Sequence, residues 1–206
     1  MENNSYHHGD LKHELMEKGL LLINKYGEDN LSLRKLAAEC GVSNAAPYAH
    51  FKNKEDLISE IQNYVMGLFT AQLENAVSVC AESKDIFIML GKAYVMFFYK
   101  NPSYFDFLFS RKNIKVNVSL GETGENPPFD ILKKIASGYF SKRNMPEYQI
   151  ENIVIAMWAL VHGLSAITAM PNVEGNTDWE ERVEAVLRTA GFSNKENGNE
   201  FDNSRY

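Results

Sequence analysis

The feature that most constrains this chain is the Cys40-Gly41-Val42 turn inside residues 31–54, LSLRKLAAECGVSNAAPYAHFKNK. Before the turn, Ser32 is a good helix cap, and Leu33, Leu36, Ala37 and Cys40 share one face of a short helix. Gly41 ends that helix, because a left-handed backbone there suits glycine. After the turn, Ser43 or Asn44 caps another short helix to about Phe51, and Asn53 caps a longer one. Two short helices around a glycine-bearing turn have the length of a helix-turn-helix, a unit whose second helix lies in a DNA major groove. In such a unit Leu33, Leu36 and Ala37 bury against the preceding helix, and Val42 plugs the angle. Phe51 lies beneath, leaving Asn44, Ala45, Tyr48 and Ala49 facing outward.

Helix signals dominate elsewhere. Asp10 caps a first helix carrying Leu11, Leu15, Leu22 and Tyr26, with Gly19 on the same stripe and Gly27 as its stop. The helix opening at Asn53 has Glu55 and Asp56 in its first turn, which suits the macrodipole, and Leu57, Ile61, Tyr64, Val65, Leu68 and Leu73 at helical spacing. Ser83 or Asp85 opens a strongly apolar helix to about Tyr99. Asn101-Pro102 breaks the chain, and an aromatic helix follows over 103–109. Residues 110–128 are polar. Within them Ile114, Val116, Val118 and Leu120 alternate at strand period, but a lone strand has no partner, so an extended loop resting one face on the bundle is expected. Helices resume over 128–142, 146–170 and 177–189, and Gly191 closes the last. Residues 192–206, rich in Asn and charge, read as a disordered tail.

The chain is therefore read as all-α. GxGxxG and other Gly-rich phosphate loops are absent, as is a nucleophile elbow, so no catalytic residue and no enzyme activity is expected. His7, His8, Asp10 and His13 are metal-capable, but no second cluster closes four ligands, so no metal or cofactor is expected. Hydrophobic residues make up 45%, enough for a core, and the net charge is −6. Residues 1–60 hold seven Lys+Arg against ten Asp+Glu. That balance excludes a surface coated in basic charge but not a local basic patch. Cys40 and Cys80 lie in helical segments and read as buried thiols. Residues 153–170 carry no Asp, Glu, Lys or Arg, and at 18 residues stand at the short limit for a membrane span. With His162, Ser165 and Thr168 inside and no basic flank, they read as a buried helix of a soluble bundle. Residues 1–10 are polar with no apolar region, and a cytoplasmic location without a membrane partner is expected.

Over roughly residues 6–61 the sequence resembles the tetracycline-repressor (TetR) family of one-component regulators. The matching elements are Tyr6-His7-His8-Gly9-Asp10-Leu11, Ser32-Leu33-Arg34, Ala37, Gly41-Val42-Ser43, Tyr48, His50-Phe51 and Lys54-Glu55-Asp56-Leu57. The Ala45-Ala46-Pro47-Tyr48 run is similar to a subgroup whose C-terminal half carries a Trp/His/Gly helix, and Trp158-Ala159-Leu160-Val161-His162-Gly163 fits it. The resemblance implies a three-helix DNA-binding head joined by a long fourth helix to a helical body that binds ligand and dimerises. The corresponding division is 1–55, 56–191 and the 192–206 tail. Two departures stand out. Pro47 lacks an N–H and fits only near a helix start, and Ala49 stands where many relatives carry a longer polar residue.

The expected DNA-contacting set is Ser32, Arg34, Lys35, Ser43, Asn44, Ala45, Ala46, Tyr48, Ala49, His50, Lys52 and Lys54. Arg34, Lys35, Lys52 and Lys54, with the helix N-termini at Ser32 and Asn53, suit phosphate, and Tyr48 and His50 do so as their family counterparts do. Asn44 is the amide that can pair with the N6/N7 edge of adenine, and Ala45, Ala46 and Ala49 can touch thymine methyls. In the body, Ala156, Ala159, Gly163 and Ala166 form a small-residue stripe. With Trp179, Val183 and Val186 they offer the surface for a homodimer of the kind the family forms from two late helices. A two-fold dimer fits a near-palindromic operator in double-stranded DNA. Met89, Met96, Phe97, Tyr104, Phe105, Trp158 and His162 are the expected lining of a cavity for a small apolar or amphipathic ligand that releases a repressor. The rival reading is a helical protein-interaction module that has lost DNA binding.

Overall fold

The computed structural model describes residues 8–80, 83–109, 115–122, 124, 126–170, 172–173 and 178–191. Eight α-helices follow one another among them, with no strand: α1 (His8–Tyr26), α2 (Leu33–Glu39), α3 (Lys54–Cys80), α4 (Ile86–Lys100), α5 (Pro102–Phe109), α6 (Pro127–Phe140), α7 (Glu147–Ala169) and α8 (Trp179–Thr189). Short 3-10 turns occupy Glu28–Asn30, Ala46–Ala49 and Ser141–Arg143. Tyr6, His7, Ile114, Thr177 and the tail at 192–206 lie outside the described residues.

Most helix starts follow the caps in the sequence. Ser32 Oγ accepts the Lys35 N–H at 3.1 Å, and Asn53 Oδ1 accepts the Asp56 N–H at 2.8 Å. Asp178 Oδ1 takes the Glu180 and Glu181 N–H groups at the head of α8. Several starts differ from expectation by one or two residues, α8 opening at Trp179 where 177 was expected. α1 begins at His8, so Asp10 sits within the helix instead of capping it. α6 begins at Pro127, one residue early, because Asn126 Oδ1 accepts the Phe129 N–H at 3.2 Å and Pro127 needs no partner in a first turn. α6 also stops at Phe140, and the chain tightens into a 3-10 turn before Asn144 takes a left-handed φ of 56°.

α4 is the hub, packed against α3, α7 and α8. Its Phe98 is fully buried, with ring centroids of Phe69 and Phe97 at 4.7 and 5.1 Å and of Phe105 and Phe109 at 5.3 and 5.4 Å. Gly91 lets α8 approach: a Cβ there would lie 3.0 Å from Leu187 Cδ1 and 3.3 Å from Val161 Cγ1. The apolar core runs without a break from Leu15 on α1 through α3 and α4 to Leu187 on α8. A second cluster joins Cys80, Phe87, Phe129, Ala136, Ile150, Val154 and Met157. Cys80 is buried as expected, whereas Cys40 is half-buried just beyond α2, where partial burial raises its thiol pKa.

α7 departs from the reading of a buried bundle helix. It is long and apolar enough to cross a membrane by length and composition, yet only 28% of its apolar window is buried. Ile155 and Ile167 are 40% and 42% exposed, and Ala156 and Ala159 are exposed beside them. The alternating segment rests as an extended loop: Val116 and Leu120 pack on the second cluster, while Val118 turns outward. Its anchor is Lys133 of α6, which is buried. Lys133 Nζ donates to the backbone oxygens of Ser119 at 3.2 Å and Glu122 at 2.6 Å and pairs with Asp130 at 3.0 Å. Asp130 in turn accepts the Gly124 N–H.

Candidate nucleic-acid interface and interior cavity

The end of α2 is a fully formed Schellman motif. The Val42 N–H reaches back to Ala37 O at 3.0 Å and the Gly41 N–H to Ala38 O at 3.2 Å, with Gly41 at φ +66°. This turn redirects the chain so that Ser43, Asn44, Ala45, Tyr48 and Ala49 are exposed, Tyr48 by 59%, while Pro47 and Phe51 are buried. Leu33, Leu36 and Ala37 are buried on the other side, as the pattern required.

The segment after the turn is not the α-helix expected from a Ser43 or Asn44 cap. It is a 3-10 turn with Ala45 at its head, and Asn44 caps nothing. Pro47 excludes an α-helix capped by Ser43, in which its N–H would meet Ser43 O. The Ala46 N–H takes Ser43 O instead at 3.0 Å, and the Tyr48 N–H takes Ala45 O at 3.1 Å. Normal spacing returns with the Phe51 N–H on Pro47 O. The Asn44 amide is therefore left on the surface, unused by the backbone.

The basic residues divide in two. Arg34 and Lys52 are exposed. Lys35 is half-buried with its Nζ 4.1 Å from the centroid of the Tyr26 ring, and Lys54 Nζ reaches Glu28 O at 3.5 Å, so both are held around the 26–30 bend. Ser32 is exposed but its oxygen already caps α2, and His50 is half-buried with its ring 6.2 Å from that of Phe51. One amide at each expected phosphate-facing helix end is thus occupied, at Lys35 and Asp56.

In the body, an apolar cavity of about 40 Å³ opens between α3, α4, α6 and α7, with Phe109 of α5 and Leu187 of α8 also in its wall. Phe69, Tyr94, Phe109, Asn126, Phe129 and Trp158 are in its wall. Of the seven residues expected to line it, Trp158 does. The helical period explains the rest. The wall uses the Phe87, Leu90, Gly91, Tyr94 stripe of α4, whereas Met89 lies on the outer side, 38% exposed, and Met96 and Phe97 are buried on other faces. Tyr104 points to α1, where its hydroxyl donates to Glu17 at 2.9 Å, and burial pushes its pKa up. Phe105 and His162 stand behind the wall, ring centroids 5.2 Å apart.

His162 is nonetheless linked to the cavity. The Tyr94 hydroxyl, in the cavity wall, meets His162 Nδ1 at 3.4 Å. Burial raises the Tyr94 pKa and lowers that of His162, so the tyrosine keeps its proton and the imidazole is neutral and able to accept it. Asn126 is the residue that sequence reasoning missed. It was counted as loop, although an Asn before Pro-Pro carries the cap-then-proline signature of a helix start.

The expected dimer residues also divide. Ala156 and Ala159 are exposed, Gly163 and Ala166 half-buried, and a Cβ on Gly163 would meet nothing within 4 Å. Trp179 and Val186 are half-buried. Val183 is corrected: it is fully buried within the chain's own core, because it faces the α4 side of α8 with Leu187.

Comparison with known proteins places these two regions. Residues 15–61 match the family model for bacterial regulatory proteins of the tetR family, and residues 87–190 match the tetracyclin repressor-like C-terminal domain. The chain is 31% identical over 64 residues, 31% of its length, to an uncharacterized HTH-type transcriptional regulator, YerO, of Bacillus subtilis strain 168. The chain spans 22% and 50% of the length of the two curated relatives it matches. Among solved structures, a protein of unknown function from Rhodococcus sp. RHA1 has a TM-score of 0.70 at 26% identity, with 91% of this chain and 96% of that one covered. AibR, solved with isovaleryl coenzyme A and operator DNA, has a TM-score of 0.65 at 19% identity over 88% and 97% of the two chains, a likeness of fold.

Proposed function

The chain belongs to the TetR family of bacterial regulatory proteins, and on that premise we propose that it is a DNA-binding transcriptional regulator, a repressor released by a small ligand. The observation that carries the reading is the exposed Ser43–Ala49 face set outward by the Gly41 turn, with Arg34 and Lys52 exposed beside it. Asn44 and the Ala45/Ala49 methyls read bases, while Arg34, Lys52 and Tyr48 hold phosphates. Lys35 and Lys54 hold the 26–30 bend, and with His50 they add weaker backbone contacts. The head is residues 1–55 and the sensing body 56–191.

Two copies pair through the uncovered face of α7 and the outer side of α8. Ala156, Ala159, Gly163 and Ala166 let the helices approach, Ile155 and Ile167 add apolar area, and Trp179 and Val186 close the seam. The pair presents two heads to a near-palindromic operator about one helical turn, roughly 34–36 Å, between half-sites. AibR, which shares the fold, was solved with isovaleryl coenzyme A and operator DNA, and this supports reading the chain as an operator binder with a sensing body; a cytoplasmic location goes with that reading. The α4–α6–α7 cavity is where the ligand binds, and a change there alters the spacing of the heads.

The test is a salt titration of binding to the DNA flanking the protein's own gene and to random duplex. A steep negative dependence, close to 0.9 per phosphate neutralised, is expected on both, with tighter binding to the flanking site. Asn44→Ala should relax preference at an A·T pair by roughly 1–3 kcal/mol. No salt dependence would leave the helical interaction module, which the acidic excess of residues 1–60 favours.

A further inference from the structure

The wall of the cavity carries aromatic and aliphatic side chains, the Tyr94 hydroxyl, which meets His162 Nδ1, the Trp158 indole and the Asn126 amide. Among the described residues, no Asp, Glu, Lys, Arg or His is in that wall. Asn126 is 8% exposed, and its Oδ1 is committed to the Phe129 N–H at 3.2 Å. That bond settles which end of the amide is oxygen. Its Nδ2 meets no acceptor among the described residues, so a buried donor faces an apolar space with both protons unspent. The nearest buried cation, Lys133, is consumed by Ser119 O, Glu122 O and Asp130.

Resting on the reading of this cavity as the ligand site, we propose that its ligand is a compact, uncharged, largely apolar molecule with a single carbonyl-type oxygen that accepts from Asn126 Nδ2. A carboxylate or an ammonium would lose its water with no opposite charge in the wall to replace it. An acceptor-free hydrocarbon would leave the Asn126 donor unsatisfied. The resting space, about 40 Å³, holds about three water-sized groups, so a ring-sized ligand enters only as Met66 and Met157 rotate outward. The flat walls of Phe69, Phe129 and Trp158 favour a planar body.

The experiment uses the full chain and four probes of one shape: acetophenone, ethylbenzene, benzoate and benzylammonium. Binding is read by calorimetry and by fluorescence of Trp158 in a Trp179→Phe background. Acetophenone is expected to bind about tenfold more tightly than any of the other three, the worth of one buried hydrogen bond. Asn126→Ser keeps a capping oxygen but removes the amide donor. It should lower acetophenone affinity about tenfold, leave ethylbenzene unchanged and leave the ligand-free melting temperature in place. Asn126→Asp, which also caps, should act the same way on acetophenone. Tighter binding of benzoate or benzylammonium overturns the uncharged ligand while leaving the sensor reading intact. Equal binding of ethylbenzene and acetophenone, with Asn126→Ser indifferent, overturns the oxygen contact alone. No binding of any probe at millimolar concentration overturns this proposal and leaves the sensor reading standing.

Discussion

The Gly41 turn and the cavity under α6 treat polar groups in opposite ways. At the turn, backbone donors and acceptors are matched within six residues, Val42 to Ala37 and Gly41 to Ala38, and the side chains are thrown outward. In the cavity, polar side chains from α4, α6 and α7 point inward, and one of them, Asn126, keeps spare donor capacity. The first arrangement holds a shape regardless of what is bound. The second is incomplete by itself and gains from a guest. A reading surface built from local bonds and a receiving space built from distant ones can share one continuous core without competing for the same interactions.

Removing the core between the two regions has the largest expected effect. Phe98→Ala deletes a fully buried ring touched by five aromatic neighbours, and should cost about 3–5 kcal/mol in urea unfolding. If the transition then splits in two, head and body are less continuous than the packing implies. A smaller effect separates the regions. Gly41→Ala places a Cβ at φ +66° and should cost about 1–2 kcal/mol. It should weaken DNA binding while leaving probe binding in the cavity unchanged, and equal loss of both would erase the contrast.

The smallest effect concerns pH. The His162 pKa is lowered below its usual 6.5 by burial, so the unfolded chain binds the proton more readily. The contribution of His162 to stability is therefore complete above about pH 6.5 and is lost as pH falls through the folded-state value. His162→Phe should flatten the dependence of the urea midpoint between pH 7.5 and 5.5 relative to the native chain. An unchanged slope would remove His162 from the cavity's polar chain.

The head was legible because its determinants are contiguous. Ser32, Ala37, Gly41 and Phe51 each act on neighbours within a few residues, so spacing alone specifies the turn and the outward set. The exception is Asn44, a good capping residue that the 3-10 turn headed by Ala45 leaves unused. The cavity was illegible for the converse reason. Its wall is assembled from α3 to α8, and composition along α4 drew attention to Met89 and Met96 when the inward stripe is Phe87, Leu90, Gly91 and Tyr94. Val183 followed the same logic. An apolar residue on a late helix reads equally well as seam or core, and the absent side chain of Gly91 brought α8 in close enough to make it core. Asn126 showed only as a proline-flanked loop residue, since nothing local signals a donor without an acceptor.

The grip of Lys133 on the segment over 115–122 is made through the carbonyl oxygens of Ser119 and Glu122, not through their side chains. Any amino acid offers the same oxygen, so the letters at those two places are free to drift. What the segment must conserve is its reach: one residue gained or lost between Ser119 and Asn126 would pull both oxygens off the ammonium and shift the start of α6 along with the amide that Asn126 turns toward the interior.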